Sequence, residues 1–145
     1  MLHFLPIKTI LSFLEMKLST LLINQKLTVR DVMVRMNDFC LDTVFVVDCE
    51  NTLVGVITDG DLRRKLLKGH GLDDALSEVM NKDYTAASIN DKRSDVVSLR
   101  KDGIKSIPLL DEFQKVIGCI GQEVDEYIPI YNTSFEGNEL LYLTD

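Results

Sequence analysis

The sequence predicts an α/β fold: two copies of a helix–strand–strand–helix unit packed with pseudo-two-fold symmetry, preceded by an amphipathic helix and followed by a C-terminal arm. Two observations predict it. The first is a hairpin pattern written twice. Thr43–Ile57 reads TVFVVDCENTLVGVI, and Ser106–Ile120, 63 residues later, reads SIPLLDEFQKVIGCI. Each is a short aliphatic run, a polar turn and a second run ending in glycine and two apolar residues, which describes two strands joined by a turn. Asp48 falls on Asp111 and Gly55 on Gly118 with no gap between them. The second observation is a helix-like segment upstream of each hairpin. One such unit cannot cover both sides of its own short sheet, so two must pack together.

The elements follow in chain order. Within residues 1–17, Ile7, Ile10, Leu11 and Leu14 recur at helical spacing, a pattern that Leu18 continues, which predicts an amphipathic helix. A secretory signal fits poorly: there is no basic leader, Lys8 interrupts the apolar stretch, Glu15 follows it, and no small-x-small cleavage site appears. The stretch is also too short to span a bilayer. Residues 18–78 form the first repeat. Thr28 or Asp31 suits a helix cap, with Val29, Val32, Met33 and Met36 on one face. After the hairpin, DLRRKLLKGHG reads as a second helix starting near Asp61 and stopped by Gly69 and Gly71. The helical stretch Leu72–Met80 then leads onward.

Residues 79–125 form the second repeat, truncated and with a degenerate motif. Its first helix, over Asn90–Ile104, is capped by Asp91 or Ser94 and turns Val97, Leu99 and Ile104 inward, with one extra residue in its connection to the strand. Residues 126–145 are an arm holding Tyr127, Tyr131 and Tyr142 beside Phe135 and Leu140. That aromatic content argues for packing on the core or on a neighbouring chain rather than for a disordered linker.

Composition narrows the function. The 145 residues suit one domain, and 16 basic against 23 acidic side chains leave a net charge of −7. Such a surface repels a phosphate backbone, and no basic face is interleaved with aromatics, which argues against nucleic acid; no stretch argues for a membrane partner. Cys40, Cys49 and Cys119 form no CxxC and lie far in sequence from His3 and His70. Neither a metal site nor a disulfide framework is expected, and a reducing, cytoplasmic compartment is. No Ser-His-Asp, HExxH, P-loop or GxGxxG pattern appears, so no catalytic residue is assigned and the chain is not expected to be an enzyme. His70 reads as a surface histidine, and Met33, Met36 and Met80 as core.

One corner, GVITDGDLRR (Gly55–Arg64), carries chemistry. The Thr58 hydroxyl can donate to a phosphate or cap the coming helix. The Asp61 carboxylate can accept from the two hydroxyls of a ribose. Gly60 removes a side chain where a ligand would approach, or permits positive φ. The helix aims backbone N–H groups at the same corner, which favours a phosphate. Arg63, Arg64, Lys65 and Lys68 make the densest positive cluster of the chain, and one of Arg63 or Arg64 is expected to reach that phosphate. The same residue types also fit a plain turn, with Thr58 or Asp59 as cap and Asp59-Gly60 as the turn. The second copy reads GCIGQEV, with Gly121 at the position of Thr58 and Val124 at that of Asp61. One competent corner per chain is therefore expected.

The repeat, with h-h-D-x-x-x-x-h-h-G-h-h-T-x-x-D in its first copy (h apolar), resembles a tandem pair of CBS (cystathionine-β-synthase) domains, a Bateman module, over roughly Leu18–Val124. GVITDGDLRRKLLKG, SEVMNKD and GIKSIPLLDE are most similar to the modules attached to sugar-phosphate isomerases of the arabinose 5-phosphate type and to sugar-nucleotidyltransferases. No glycine-rich catalytic pattern begins in the arm, so the chain is not expected to be the transferase. The resemblance implies a regulatory module without a cofactor that binds AMP, ADP, ATP or a related nucleotide, such as a nucleotide-sugar. Thr58, Asp59, Gly60, Asp61, Arg63 and Arg64 would line the site. It further implies a homodimer and a partner enzyme of sugar-phosphate or sugar-nucleotide metabolism. The alternative is an adaptor that keeps the fold and binds no ligand.

Overall fold

The computed structural model describes residues 18–92, 95, 106–121 and 127–129. The expected helix over 1–17, most of that over Asn90–Ile104, Val124 and the arm beyond Pro129 lie outside the described residues. In chain order the elements are β1 (Leu22–Asn24), α1 (Val29–Asp38), β2 (Thr43–Val47), β3 (Leu53–Thr58), α2 (Asp59–Leu67), α3 (Leu76–Val79), β4 (Ala87–Ser88), β5 (Ser106–Leu110), β6 (Val116–Gly121) and β7 (Tyr127–Pro129). They make a mixed α/β fold with two sheets, β1-β2-β3 and β4-β5-β6-β7. Thr20–Tyr84 is one compact unit, and the described residues from Thr85 onward belong to the other.

The two hairpins repeat bond for bond. β2 pairs antiparallel with β3 from Thr43↔Thr58 to Val47↔Leu53, and β5 pairs with β6 from Ser106↔Gly121 to Leu110↔Val116. Each slips once, between Val46 and Val47 or between Leu109 and Leu110. The turns explain why Asp48 and Asp111 align. Asp48 Oδ1 accepts from the N–H groups of Glu50 (2.9 Å) and Thr52 (3.0 Å), and Asp111 Oδ1 from those of Phe113 (2.8 Å) and Lys115 (3.0 Å). A carboxylate binding its own chain downstream closes the turn. It also holds Asn51 at φ 62° and Gln114 at φ 64°.

Upstream of the hairpins the copies diverge. Ile23 of β1 pairs with Val46, 23 residues on, whereas Ala87 of β4 pairs with Leu109, only 22 on. The spacing from β4 to β5 is thus one residue shorter than that from β1 to β2, while the helix-to-strand connection expected to hold an extra residue lies outside the described residues. Pro108 stands where Phe45 stands, and its ring removes the N–H that would face β4. Accordingly β4 is two residues long where β1 is three.

The outer edges of the hairpins are closed differently. Asn81 exchanges two backbone hydrogen bonds with Val56 of β3 (2.9 and 3.0 Å), and the Tyr84 hydroxyl donates to the Leu53 carbonyl at 3.4 Å. In the other unit β7 pairs with β6, so the arm opens as a strand.

The core of the first unit is built by Val29, Val32 and Met36 of α1, Val44, Val46 and Ile57 of the hairpin, and Leu62, Leu76 and Val79. Met33, expected on the inner face of α1, is exposed instead. The stretch Leu72–Met80 is helical only over Leu76–Val79. Its preceding carbonyls are taken by the start of α1: Val29 N–H donates to Asp74 O (3.0 Å) and Arg30 N–H to Leu72 O (2.8 Å). Gly55 has its own packing reason. A Cβ there would lie 2.6 Å from Met80 Sδ and 3.0 Å from Met80 Cβ. Gly55→Ala is therefore expected to cost about 1–3 kcal/mol by overpacking. Combined with Met80→Ala it should cost less than the two single changes together. Urea denaturation of the three variants checks this, and strict additivity would contradict the contact.

Candidate functional site

Thr58 is the last residue of β3 and the N-cap of α2, with extended backbone (φ −105°, ψ 161°). The helix begins at Asp59, two residues earlier than the sequence pattern suggested. Asp59-Gly60 is its first turn rather than a reverse turn, and Gly60 does not take positive φ. Two reciprocal hydrogen bonds make the corner: Asp61 N–H donates to Thr58 Oγ1 (3.0 Å), and Thr58 N–H donates to Asp61 Oδ2 (3.2 Å). This capping box satisfies donors that a helix start and a strand end would otherwise leave bare. Asp59 N–H also donates to the Asp42 carbonyl at 2.9 Å.

Of the six residues named from the sequence, four converge. Arg64 donates to Asp61 Oδ1 at 2.6 Å, and the guanidinium passes close to Gly60, where a Cβ would lie 3.3 Å from its nearest nitrogen. Thr58, Gly60, Asp61 and Arg64 therefore form one constellation. Asp59 and Arg63 do not join it; they pair with each other on the exposed side of α2. Burial pushes the Asp61 carboxyl up, but hydrogen bonds from Arg64 and from the Thr58 side chain and backbone, with the charge of Arg64, outweigh it and hold the group below its ordinary value.

Two features were not read from the sequence. The T-x-x-D pattern occurs twice in this unit. Thr28 caps α1 with the same box: Asp31 N–H donates to Thr28 Oγ1 (3.3 Å) and Thr28 N–H to Asp31 Oδ2 (2.9 Å). TVRD at 28–31 was the visible signal. Asp31 differs from Asp61 in the arginine one turn on, because Arg35 donates to the Leu22 carbonyl instead. The second feature is Thr43, which faces Thr58 across the hairpin on the sheet face opposite Val44 and Ile57. Its hydroxyl is buried without a hydrogen-bond partner, a costly state for such a group. In the other unit Gly121 holds the register position of Thr58, opposite Ser106.

A family model described as CBS domain matches residues 16–68, from the segment before β1 to the end of α2. This segment is similar to a CBS domain. The Thr58–Asp61 corner lies inside it. Arabinose 5-phosphate isomerase GutQ of Shigella flexneri is 34% identical over 94 residues, a match covering 64% of this chain and 29% of the isomerase. The CBS domain pair of protein MJ0100, solved in complex with 5′-methylthioadenosine and S-adenosyl-L-methionine, is similar in fold. Its TM-score is 0.61 at 19% identity, covering 71% of this chain and 85% of that one. CBSX2, solved in complex with AMP, has a TM-score of 0.60 at 20% identity, covering 70% of this chain and 80% of its own. The mixed α/β fold with its two sheets is thus similar to that of solved CBS pairs. Among the described residues no helix is long and apolar enough to cross a membrane.

Two predictions follow from the capping box. Thr58→Ala is expected to cost about 1 kcal/mol of stability through loss of the cap, measured by urea denaturation; an unchanged midpoint would contradict it. Because the folded-state pKa of Asp61 is lowered from 3.8, its contribution is present above that value and lost as pH falls through the folded one. Asp61→Asn should therefore flatten the acid limb of a stability-versus-pH curve. A variant as acid-sensitive as the wild type would contradict this.

Proposed function

We propose that the chain is a regulatory module that binds a nucleotide at the Thr58–Asp61 corner, an adenosine nucleotide or a nucleotide-sugar. The observation that carries the reading is the Asp61 carboxylate held by Arg64 at the N-terminus of α2, inside a segment similar to a CBS domain. Pairs of similar fold hold AMP, 5′-methylthioadenosine and S-adenosyl-L-methionine. A ribose diol arriving at Asp61 competes with Arg64 for the same carboxylate. Once released, Arg64 is free to meet a phosphate in front of α2, where the helix dipole also favours negative charge. The Thr58 hydroxyl, whose hydrogen goes to Asp61 in the free chain, becomes a further donor once the ribose takes over that carboxylate. Thr43 adds a buried hydroxyl beside it.

In this reading the module regulates rather than catalyses. Its partner is a sugar-phosphate or sugar-nucleotide enzyme, in keeping with the similarity to a sugar-phosphate isomerase, and the working form is a homodimer. Coupling between ligand and partner would be of the usual allosteric size, about 1–3 kcal/mol. A second reading, an adaptor that binds no nucleotide, draws on one observation. The box at Thr28–Asp31 is satisfied by its own partners, and so is that at Thr58–Asp61.

Thermal unfolding separates the two. The chain is melted with AMP, ADP, ATP, CMP, a CMP- or GDP-linked sugar and S-adenosylmethionine, each in excess. At about 100 times its dissociation constant a true ligand adds about 2.7 kcal/mol, several degrees of Tm at this size. The binding reading expects at least one such shift, abolished in Asp61→Asn and reduced in Arg64→Ala. No shift with any compound, or equal shifts in wild type and Asp61→Asn, would overturn it.

A further inference from the structure

Beyond the corner, the first unit brings together three donor side chains that the proposed nucleotide site does not use. His70 Nδ1 lies 3.2 Å from Asp74 Oδ2, and one ligand atom each of His70, Asp74 and Glu78 lies within 4.8 Å of the other two. We propose that His70, Asp74 and Glu78 form a binding site for a first-row divalent metal ion of the zinc class.

The backbone around the trio is fixed before any ion arrives. His70 N–H donates to Lys65 O (3.1 Å), Val29 N–H to Asp74 O (3.0 Å) and Leu76 N–H to Leu27 O (3.1 Å). These bonds pin the segment at both ends to α2 and to the start of α1. The Asp74 carboxylate is itself oriented, because Gly71 N–H donates to its Oδ2 at 2.9 Å. Such hydrogen bonds behind a ligand raise metal affinity by fixing the donor. A histidine–aspartate hydrogen bond needs no metal. The third donor, Glu78 on α3, is what makes the cluster a chelate, and its exposure leaves it free to rotate inward.

Donor type selects the ion. One imidazole nitrogen with two carboxylate oxygens suits zinc, cobalt or nickel, whereas magnesium prefers an all-oxygen octahedron. Three protein ligands at about 2.0–2.2 Å would leave a fourth tetrahedral position open. Binding would tie the end of α2 to α3 across the turn at Gly69, which carries φ 104°. Sequence pattern missed this site because the donors span a helix end, a turn and the next helix rather than one helix face. None of the three belongs to the Thr58–Asp61 constellation, so the site stands or falls independently of the nucleotide reading.

The test is calorimetric titration of the intact, EDTA-stripped chain with ZnCl2, with MgCl2 as comparison. The proposal expects one equivalent of zinc bound with a dissociation constant below about 10 μM and no comparable magnesium binding. His70→Ala and, separately, Glu78→Gln should each weaken zinc by more than about tenfold; Glu78 is exposed, so its variant reports on binding without disturbing the fold. Cobalt loaded in place of zinc should show d–d bands without a thiolate charge-transfer band. Zinc binding that is weaker than about 1 mM, unchanged in both variants, or accompanied by a thiolate band would overturn the proposal.

Discussion

The pair of hydrogen bonds exchanged by Thr58 and Asp61 is the joint on which the candidate site depends. It closes β3, starts α2 and sets the angle between them, and it does so with side chains that also carry the corner's chemistry. Hairpin register then places Thr43 beside Thr58, and helical periodicity places Arg64 one turn beyond Asp61. Move the cap by one residue and both neighbours are lost: Thr43 would face a different strand position, and Arg64 would leave the carboxylate. Strand pairing, helix capping and electrostatics thus converge on a single backbone corner.

That economy has a physical consequence. A carboxylate already satisfied by a backbone N–H and a guanidinium is stable without a ligand, so any ligand must offer more than Arg64 does. Asp61 meets this condition better than Asp31. Its partner Arg64 is a long side chain whose guanidinium lies toward the surface, with 66% side-chain exposure, while Asp61 itself is 24% exposed. An exposed cation over a half-buried anion is a counter-ion that a ligand can reach and replace. At Asp31 the neighbouring arginine is committed to the Leu22 carbonyl, and the box there has no such exchange to offer. The same four-residue pattern therefore serves as a plain cap at one helix and as a cap with a replaceable partner at the next.

Much of the fold was legible in the sequence because its strongest signals are local. The paired hairpins were readable from Asp48 and Asp111, since an aspartate that bonds its own turn leaves a fixed spacing to the strands on either side. Elements that depend on distant partners were less so. The start of α2 was displaced by two residues because Asp-Gly is a turn signal and also a tolerable first helical turn once Thr58 caps it. The helix expected over Leu72–Met80 shrank because the N–H groups of Val29 and Arg30, more than forty positions away, take the carbonyls it would have used. Thr43 gave no signal of its own; only its cross-strand partner makes it notable. The pairing of Arg63 with Asp59 and of Arg64 with Asp61 was open at the level of spacing, because both i,i+3 and i,i+4 neighbours can meet on a helix.

The central claim is that the Thr58–Asp61 corner, and not its twin at Thr28–Asp31, receives a nucleotide by exchanging Arg64 for a ribose. Nitrogen-15 NMR of the chain during titration with AMP tests this most directly, read at the backbone amides of both boxes and at the Arg64 side chain. The account predicts saturable shifts at Thr58, Gly60, Asp61 and the Arg64 guanidinium, with Thr28 and Asp31 unmoved. Shifts confined to Thr28 and Asp31, or an Arg64 signal unchanged at saturation, would contradict it.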